Sequence, residues 1–307
     1  MRTYDFRGIM VPVLTAFHDD MSLNLDAIPR YADYLAQCGI QGILITGTIG
    51  EGMNMKLDER KTLIEAWAKT VKATHQHLMV QVGGTCLSNV LELARHAESC
   101  GADSLLCLPE IYYKPKTIKE IVAYFKLVSA SAPQTPLFYY NSPARTGVNV
   151  FLLAVNILDF LKEAEGQIPT LRGVKFVDDT FNRAYDVLKA VDGKYAIFIT
   201  NNTLVYGGAL LGFDSFMAPV LNLVPKLGID LLKAVHESDL DKARNLQGVL
   251  TKIANIILKT DAYVPRLKAA ANFVLPIKLG SVRSPLEALG DEDLQILLDE
   301  LKPYISI

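Results

Sequence analysis

One lysine stands inside one of the most apolar segments of the chain. Lys175 lies in the run L-R-G-V-K-F-V-D-D, residues 171–179 of a 307-residue sequence. An ammonium group among apolar strand residues is costly to desolvate unless it finds a partner or loses its proton. Burial lowers the pKa of a lysine, and the neutral amine can attack a ketone to form a Schiff base. Alternatively, Lys175 ends its strand with the ammonium in solvent, or pairs with Asp178 or Asp179; the pattern leaves both interpretations open.

A tyrosine ends the apolar run that precedes this one. Tyr140 lies in P-L-F-Y-Y-N-S-P, residues 136–143. If the two runs are adjacent strands of a barrel, the side chains of Tyr140 and Lys175 lie close together. The phenol could then move protons during carbon chemistry at the lysine. The alternative is a purely structural role in an aromatic cluster with Phe138 and Tyr139.

Two further segments could bind an anionic substrate. The glycines of G-T-I-G-E-G, residues 47–52, allow backbone amides to approach a carboxylate or phosphate, although a tight turn is an equally good explanation. Arg145, in N-S-P-A-R-T-G, is suited to bidentate carboxylate binding. A solvated surface arginine is the alternative interpretation.

Eight short apolar runs alternate with helical patterns over the first 225 residues. Each run is continuously apolar, which is typical of parallel strands covered on both faces. This order predicts a (β/α)8 TIM barrel over residues 1–225. An open doubly wound sheet is the alternative, and the lack of a G-x-G-x-x-G after the first run disfavours it. The runs are residues 8–17, 42–48, 78–84, 104–113, 136–143, 171–179, 195–202 and 215–222.

The pattern changes after residue 225. Residues 226–307 contain helical patterns without a further strand signal, so we expect a C-terminal helical extension packed on the barrel. No linker or low-complexity segment separates the two parts, which predicts one continuous globular unit. In such a barrel the active site lies at the carboxyl ends of the strands, where the lysine, tyrosine, turn and arginine described above all fall.

Composition excludes several classes of function. The 31 basic and 33 acidic residues give a net charge of -2, which argues against binding to nucleic acid or to an anionic membrane. No apolar stretch approaches a membrane span, and the N-terminal residues lack the pattern of a signal peptide. The four cysteines show no C-x-x-C spacing, and the H-Q-H at 75–77 falls near a helix end. We therefore expect a cytoplasmic protein with reduced thiols and no metal site.

Three ordered motifs resemble those of a known family over nearly the whole chain. G-T-I-G-E is similar to a G-[ST]-T-G-E turn, Y-N-S-P-A-R-T-G to Y-N-x-P-x-x-[ST]-G, and G-V-K to a G-[IVL]-K lysine motif. The tail L-G-S-V-R-S-P-L-E-A-L resembles a closing R-x-P-L segment. The family is that of the pyruvate-dependent class I aldolases, N-acetylneuraminate lyase and dihydrodipicolinate synthase. The stretch that begins at residue 47 is most similar to the animal-type lyases.

The resemblance implies a mechanism without a metal or cofactor. Lys175 would form a covalent imine with pyruvate or another 2-oxo acid, and Tyr140 would be the acid and base in carbon–carbon cleavage or formation with an aldehyde. Tyr112, in E-I-Y-Y-K-P, matches a tyrosine that completes a proton relay, usually from a neighbouring subunit. Family members are typically homotetramers, built as dimers of dimers. We expect the same assembly here.

The turn departs from the family pattern at one position. The resemblance implies that Thr48, with the amides around Gly47 and Ile49, holds the pyruvate carboxylate. Ile49 replaces the second hydroxyl of the motif, which we assign to the relay between tyrosines. Because an aliphatic side chain neither donates nor accepts a proton, we expect the relay to be broken or rerouted at this residue.

The remaining pocket positions fit neither named activity fully. Arg145 matches an arginine that dihydrodipicolinate synthases place near a substrate carboxylate, whereas neuraminate lyases usually have an aliphatic residue there. Where lyases carry polar groups that bind the sugar tail, this chain has mostly different residues: Val177, Thr200, Asn202, Thr203 and Pro219. A pocket that lost these carboxylates and hydroxyls is poorly suited to a polyol, because buried sugar hydroxyls would lack partners.

The sequence therefore predicts a Schiff-base lyase or aldolase, with cleavage of N-acetylneuraminate as the leading named reaction. Three alternatives remain open. They are a synthase-type condensation of pyruvate with an aldehyde-bearing amino acid, a family member refitted for a less polar substrate that carries a carboxylate, and a non-catalytic oligomer that binds oxo acids.

Overall fold

Eight parallel strands close into a barrel in a computed structural model that describes residues 2–148, 157–177, 181–191 and 193–305. The strands pair in chain order, and β1 pairs with β8 to close the ring. The predicted TIM barrel is confirmed. The strands are β1 (Gly8–Pro12), β2 (Gly42–Ile45), β3 (His77–Gln81), β4 (Ser104–Cys107), β5 (Leu137–Asn141), β6 (Leu171–Phe176), β7 (Ala196–Ile199) and β8 (Ser215–Phe216).

Helices connect and surround the strands. Those of the barrel region are α1 (Ala27–Gln37), α2 (Leu57–Thr74), α3 (Leu87–Cys100), α4 (Ile118–Ser131), α5 (Pro143–Thr146), α6 (Ile157–Ala164), α7 (Phe181–Val191) and α8 (Val205–Leu210). Those that follow β8 are α9 (Pro225–His236), α10 (Leu240–Ile257), α11 (Tyr263–Val274) and α12 (Asp291–Leu301). Within the described ranges, every helix is too short or too polar to cross a lipid bilayer.

The strands are continuously apolar because both of their faces are buried. Side chains that point into the barrel, such as Met79, Leu106 and Phe198, form one cluster that fills its interior. Neighbouring side chains along the same strands, such as Val80 and Ile197, belong to a second cluster shared with the helices. Because both faces of each strand are covered by apolar groups, the sequence shows no alternation of polar and apolar residues, as is general for parallel sheets.

The apolar runs predict the strands correctly but overestimate their lengths. β2 ends at Ile45, β4 at Cys107 and β8 at Phe216, so the chain leaves the sheet several residues before the apolar run stops. Buried loop residues such as Ile49 and Leu108 continue the pattern beyond the last paired residue. Periodicity does not distinguish a strand from an apolar loop that covers the barrel end.

The predicted helical C-terminal extension is present, and its first helix completes the barrel. α9 follows β8, packs against α8 and α10, and places Ile229 within 3.5 Å of an ideal Cβ on Gly39 at the end of α1. It therefore takes the position of the eighth barrel helix. α10, α11 and α12 pack against one another outside that ring. A boundary at 225/226 falls at the first residue of α9, inside the eighth βα unit.

A histidine is held among aromatic rings at the amino-terminal end of the barrel. The His77 ring lies 5.3 Å from the Tyr4 ring and 5.0 Å from the Phe6 ring, and His77 Nε2 is 2.8 Å from Ser104 Oγ. Desolvation lowers the pKa of His77 to about 4, and the carboxylate of Asp103 offsets only part of that effect. The folded protein therefore keeps this imidazole neutral.

We expect His77 to make the protein less stable in acid. The unfolded chain protonates a histidine below its ordinary pKa of 6.5, whereas the folded protein does so only near 4. The contribution of neutral His77 to the free energy of unfolding is therefore complete above pH 6.5. About 2 kcal/mol of it is lost as the pH falls toward 4. Urea unfolding of the natural protein and of His77→Gln at pH 7.5 and 4.5 measures this difference.

His77→Gln is expected to lose less unfolding free energy between the two pH values than the natural protein. His18→Gln is the control, because His18 is exposed. If His77→Gln loses as much as the natural protein on acidification, the histidine is not the group responsible.

Candidate active site

A cavity of about 550 Å³ opens at the carboxyl ends of the strands. In the described part of the chain it contains Lys175, Tyr140, Thr48, Ile49, Arg145, Val177, Thr200, Asn202 and Pro219, which the sequence singled out. Residues that the sequence did not single out complete the wall: Pro12, Pro143, Ala144, Asn201, Met217, Leu258 and Tyr263. Strands, loops and the C-terminal extension all contribute to this one site.

Lys175 stands near the end of β6 and points into the barrel mouth. It is in register with Tyr140 on β5 and with Phe198 on β7, so the three side chains share the inner face. Only 6% of Lys175 is exposed, which excludes an ammonium extended into solvent. Asp178 and Asp179, the alternative partners, lie outside the described residues. The structure therefore places the Lys175 amine, almost fully buried, at the mouth of the barrel.

Tyr140 contacts both the lysine and the glycine-rich turn. Lys175 Nζ lies 4.1 Å from the centre of the Tyr140 ring, and the Tyr140 hydroxyl is 3.0 Å from Thr48 Oγ1. Burial opposes ionisation of Tyr140, but the Lys175 ammonium, the hydrogen bonds from Thr48 and Lys175, and the charge of Arg145 outweigh it. The pKa of Tyr140 therefore lies below its ordinary value of 10. A phenol with this pKa can exchange protons with its neighbours.

The turn corrects our assignment of its two central residues. The hydroxyl that meets Tyr140 belongs to Thr48, so Ile49 does not interrupt the proton route at this tyrosine as the sequence analysis expected. Ile49 is buried and forms part of the cavity wall. Thr48, which we expected to hold a carboxylate, has its hydroxyl engaged with Tyr140. Gly47 is not on the described wall, and its carbonyl accepts a hydrogen bond from Gly52 N at 3.2 Å.

Close packing fixes the conformation of this turn. A Cβ on Gly52 would lie 2.0 Å from the Thr46 carbonyl oxygen, and one on Gly50 would lie 2.9 Å from the Val13 carbonyl oxygen. The Thr15 hydroxyl donates to the Gly50 carbonyl at 2.7 Å, which ties the turn to the chain that follows β1. The glycines are required by close backbone approach, and the turn presents Thr48 and Ile49 in one arrangement.

An arginine and an unforeseen tyrosine form the outer wall. Arg145, on α5, places its guanidinium 5.0 Å from the centre of the Tyr263 ring. Tyr263 is the first residue of α11, and desolvation raises its pKa to about 12 although Arg145 opposes the shift. Stacking on an aromatic ring orients a guanidinium for bidentate contact. Nothing near Tyr263 in the sequence indicates this contact, because its partner belongs to a distant segment of the chain.

Polar side chains beyond β7 are largely occupied by the protein itself. The Thr200 hydroxyl donates to the Phe176 carbonyl at 3.0 Å, and Asn202 Oδ1 accepts from Val220 N at 3.2 Å. Thr203 does not reach the described wall, and its hydroxyl donates to Asn201 Oδ1 at 2.8 Å. Val177 and Pro219 add only apolar surface to the wall. The side-chain oxygens of Asn201 and Asn202 and the hydroxyl proton of Thr200 are therefore already engaged on this side of the cavity.

Tyr112 lies away from the cavity of its own chain. It is 82% exposed on the loop after β4 and packs edge-on against Tyr113, which is 83% exposed. Glu110 Oε1 accepts hydrogen bonds from the backbone amides of both tyrosines, at 2.9 and 3.3 Å. The loop thus holds two aromatic rings in solvent, and the structure does not bring Tyr112 together with Tyr140 within one chain.

The side chains that commonly bind metal ions are dispersed in the described residues. No group of three or more His, Cys, Asp or Glu side chains in this part of the chain is arranged to hold an ion. The four cysteines, Cys38, Cys86, Cys100 and Cys107, are free thiols.

Comparison with known proteins agrees with the motifs and the fold. The chain is 31% identical to N-acetylneuraminate lyase A of Xenopus laevis, over 91% of this chain and 90% of that protein, and 28% identical to human N-acetylneuraminate lyase, over 93% and 88%. The solved structure of Proteus mirabilis N-acetylneuraminate lyase superposes with a TM-score of 0.90 at 26% identity, covering 98% of this chain and 99% of that one. The model of the dihydrodipicolinate synthetase family matches residues 5–303. This chain belongs to that family.

Proposed function

We propose that this protein is a class I aldolase or lyase that forms a Schiff base between Lys175 and pyruvate or a related 2-oxo acid. One observation carries the proposal: a buried lysine in contact with a tyrosine of lowered pKa, at the mouth of a barrel. Membership of the family supports it, as does the identity of about 30% to N-acetylneuraminate lyases.

The first step is attack of the Lys175 amine on the ketone carbon. Transfer of a proton from the ammonium to the Tyr140 phenolate leaves a neutral amine in place of a buried charge. The amine adds to the carbonyl, and the hydroxyl of the resulting carbinolamine leaves as water with the proton that Tyr140 took from the ammonium. A protonated imine and the Tyr140 phenolate remain. The imine nitrogen then carries the positive charge that the ammonium carried before.

The second step breaks or forms the carbon–carbon bond next to the imine carbon. In cleavage of a 4-hydroxy-2-oxo acid, Tyr140 takes the proton of the 4-hydroxyl, the bond between C3 and C4 breaks, and its electron pair moves toward the imine nitrogen. An aldehyde leaves and an enamine remains. Tyr140 returns the proton to C3, and water hydrolyses the imine to release pyruvate. The Thr48 hydroxyl, 3.0 Å from Tyr140, would donate a hydrogen bond to the phenolate before the first transfer and after the second.

The relatives and the cavity wall favour different second substrates. Named relatives favour cleavage of N-acetylneuraminate. Arg145, oriented on Tyr263 at the outer wall, favours instead a substrate with a carboxylate remote from the reacting carbon. The apolar surface of Ile49, Val177 and Pro219 and the occupied polar groups beyond β7 favour the same alternative.

We extend the proposal to the assembly through family likeness. A homotetramer made of paired dimers would bury the exposed Tyr112 and Tyr113 rings against a second subunit. Tyr112 would then reach toward the partner's cavity and complete its proton relay. The exposure of both rings is consistent with this role, because large apolar surfaces on a single chain commonly mark an interface.

Replacing Lys175 with Ala should abolish covalent capture of pyruvate. Incubation of the natural protein with pyruvate and borohydride should add one reduced pyruvyl group, measured by intact mass, with the modified peptide containing Lys175. The control is Lys194→Ala, which removes an exposed lysine paired with Glu165. An adduct that persists in Lys175→Ala would overturn the assignment. Capture of pyruvate without any turnover would favour a non-catalytic oxo-acid binder.

Tyr140 should make the exchange of pyruvate methyl protons in D2O depend on pH. Because the pKa of Tyr140 is lowered, its phenolate is available at lower pH than that of an ordinary tyrosine, so the rate should rise with a midpoint below pH 10. Tyr140→Phe should slow the exchange about 10²- to 10⁴-fold. Proton NMR follows the loss of the methyl signal.

The matched control for this experiment is Tyr139→Phe. Tyr139 is equally buried but faces the helices, where it packs against Phe125 and Phe160. Its loss should leave the exchange rate close to that of the natural protein. Equal rates in the two variants would show that Tyr140 is not the base.

Arg145 should discriminate between acceptor aldehydes. With pyruvate as the donor, Arg145→Ala should lower kcat/KM about 10- to 100-fold for an aldehyde that carries a carboxylate, such as succinic semialdehyde, because one charge-assisted hydrogen-bond pair is lost. The value for neutral N-acetylmannosamine should change little. A larger loss with N-acetylmannosamine would favour the N-acetylneuraminate lyase reaction and contradict a carboxylate subsite at Arg145.

A further inference from the structure

The glutamate of the G-T-I-G-E-G turn is buried against a lysine of the C-terminal extension. Glu51 Oε1 accepts a hydrogen bond from Lys268 Nζ at 2.7 Å, and the two side chains are 0% and 1% exposed. Lys268 lies on α11 and is separated from Glu51 by most of the barrel in sequence. Burial lowers the pKa of Lys268, while Glu51 opposes that shift. A closed ion pair therefore joins the turn to the extension.

The second carboxylate oxygen of Glu51 is bound by the closing R-S-P-L segment. Glu51 Oε2 accepts from the backbone amide of Arg283 at 2.8 Å. The Arg283 guanidinium is itself held by Glu59, with its Nη1 2.9 Å and its Nη2 2.6 Å from the two carboxylate oxygens. Lys268 Nζ and the Arg283 guanidinium carbon each lie 4.2 Å from the centre of the Phe17 ring. Both oxygens of Glu51 thus have fixed partners.

The backbone of the turn connects the fixed Glu51 to Thr48. Glu51 adopts a left-handed conformation with φ of 53°, and its amide donates to the Thr48 carbonyl at 3.2 Å. Thr48 in turn places its hydroxyl 3.0 Å from that of Tyr140. A shift of the Glu51 carboxylate therefore displaces the residue that contacts the proposed acid and base.

A buried ion pair is not required for stability alone. Desolvation of two charges offsets much of their attraction, and apolar replacements of similar volume are often as stable. Hydrogen bonds to both carboxylate oxygens fix the orientation of Glu51 more closely than packing would. Glu51 belongs to the G-T-I-G-E-G turn, so a fixed carboxylate also helps to fix that turn.

We propose that Lys268 is a positioning residue, which acts through Glu51 to hold the Thr48 hydroxyl against Tyr140. The C-terminal extension thereby controls proton transfer in the barrel, although it supplies neither the nucleophile nor the base. This inference rests on the proposed Schiff-base function. It assigns a role to Glu51 and to the R-S-P-L segment, both of which belong to the sequence motifs but not to the cavity wall.

The test separates imine formation from proton transfer and needs no knowledge of the aldehyde. Borohydride capture of pyruvate reports on Lys175, and exchange of the pyruvate methyl protons in D2O reports on Tyr140 and Thr48. Lys268→Met should retain capture while the exchange rate falls about tenfold, which is part of the factor expected from general acid–base catalysis. Its pH midpoint should move upward, because the hydrogen bond from Thr48 helps to lower the pKa of Tyr140.

A further variant keeps the test valid if Lys268→Met folds poorly with Glu51 left uncompensated. Glu51→Gln combined with Lys268→Met removes both charges and retains an acceptor for the Arg283 amide, and it should show the same loss of exchange. Combining Lys268→Met with Thr48→Val should be no slower than Thr48→Val alone, because both changes act on one hydrogen bond. Lys233→Met, which removes an exposed lysine 3.8 Å from Glu237, is the control and should leave exchange unchanged.

The outcomes distinguish this inference from the proposed function. If the natural protein captures no pyruvate and exchanges no protons, the proposed function fails. If the natural protein does both and the Lys268→Met and double-charge variants exchange protons at the natural rate with an unmoved pH midpoint, the positioning role is wrong. Equal losses of capture and exchange would indicate a general structural defect and would also overturn it.

Discussion

The site depends on holding the charge of Lys175 where water barely reaches it. Apolar side chains fill the barrel beneath the lysine, and Tyr140 and Phe198 stand beside it in register on the neighbouring strands. Burial makes separated charges costly, while a neutral amine and a neutral phenol are compatible with a dry environment. Moving one proton from Lys175 to Tyr140 therefore exchanges a buried ion pair for a nucleophile. The closed barrel creates the desolvation, and the β5–β6 register places the proton acceptor.

The C-terminal extension is part of this site as much as the strands are. α11 presents Tyr263 to the outer wall of the cavity and Lys268 to the turn that carries Thr48. One helix thus contacts both the wall where we propose that a second substrate binds and the turn beside the proposed base. Rigid elements position side chains more accurately than loops do. Arg145 on the short α5 and Glu51 in the turn each contact a residue of the longer helix α11. The barrel alone would leave the G-T-I-G-E-G turn without its buried anchor.

Residues at the ends of the strands can be predicted from the sequence, whereas contacts between distant segments of the chain cannot. The eight runs, Lys175 and Tyr140 could be placed because parallel strands deliver their carboxyl ends to one rim. Tyr263 gave no signal, since its partner Arg145 is remote in sequence. The Thr48 hydroxyl lies against that of Tyr140, which the sequence does not indicate because consecutive residues of a tight turn face different directions. Binding of a carboxylate at Thr48 stays a prediction. Tyr112 is placed by its own loop far from the cavity, and its role stays a proposal.

In the proposed reaction, the deep part of the cavity would perform the chemistry and the outer part would select the substrate. Lys175, Tyr140 and Thr48 are fixed by strands and by mutual contact, so changes there would alter the reaction itself. Beyond them, the side chains of Thr200 and Asn202 form hydrogen bonds with the backbone. A substrate hydroxyl buried against groups already satisfied costs about 1–3 kcal/mol, whereas an apolar group there costs nothing comparable. Arg145 is the exception, because its guanidinium lies on the Tyr263 ring at the open end and can meet a carboxylate without deep desolvation. These features are the reason for proposing a substrate whose far end is anionic and whose middle is apolar.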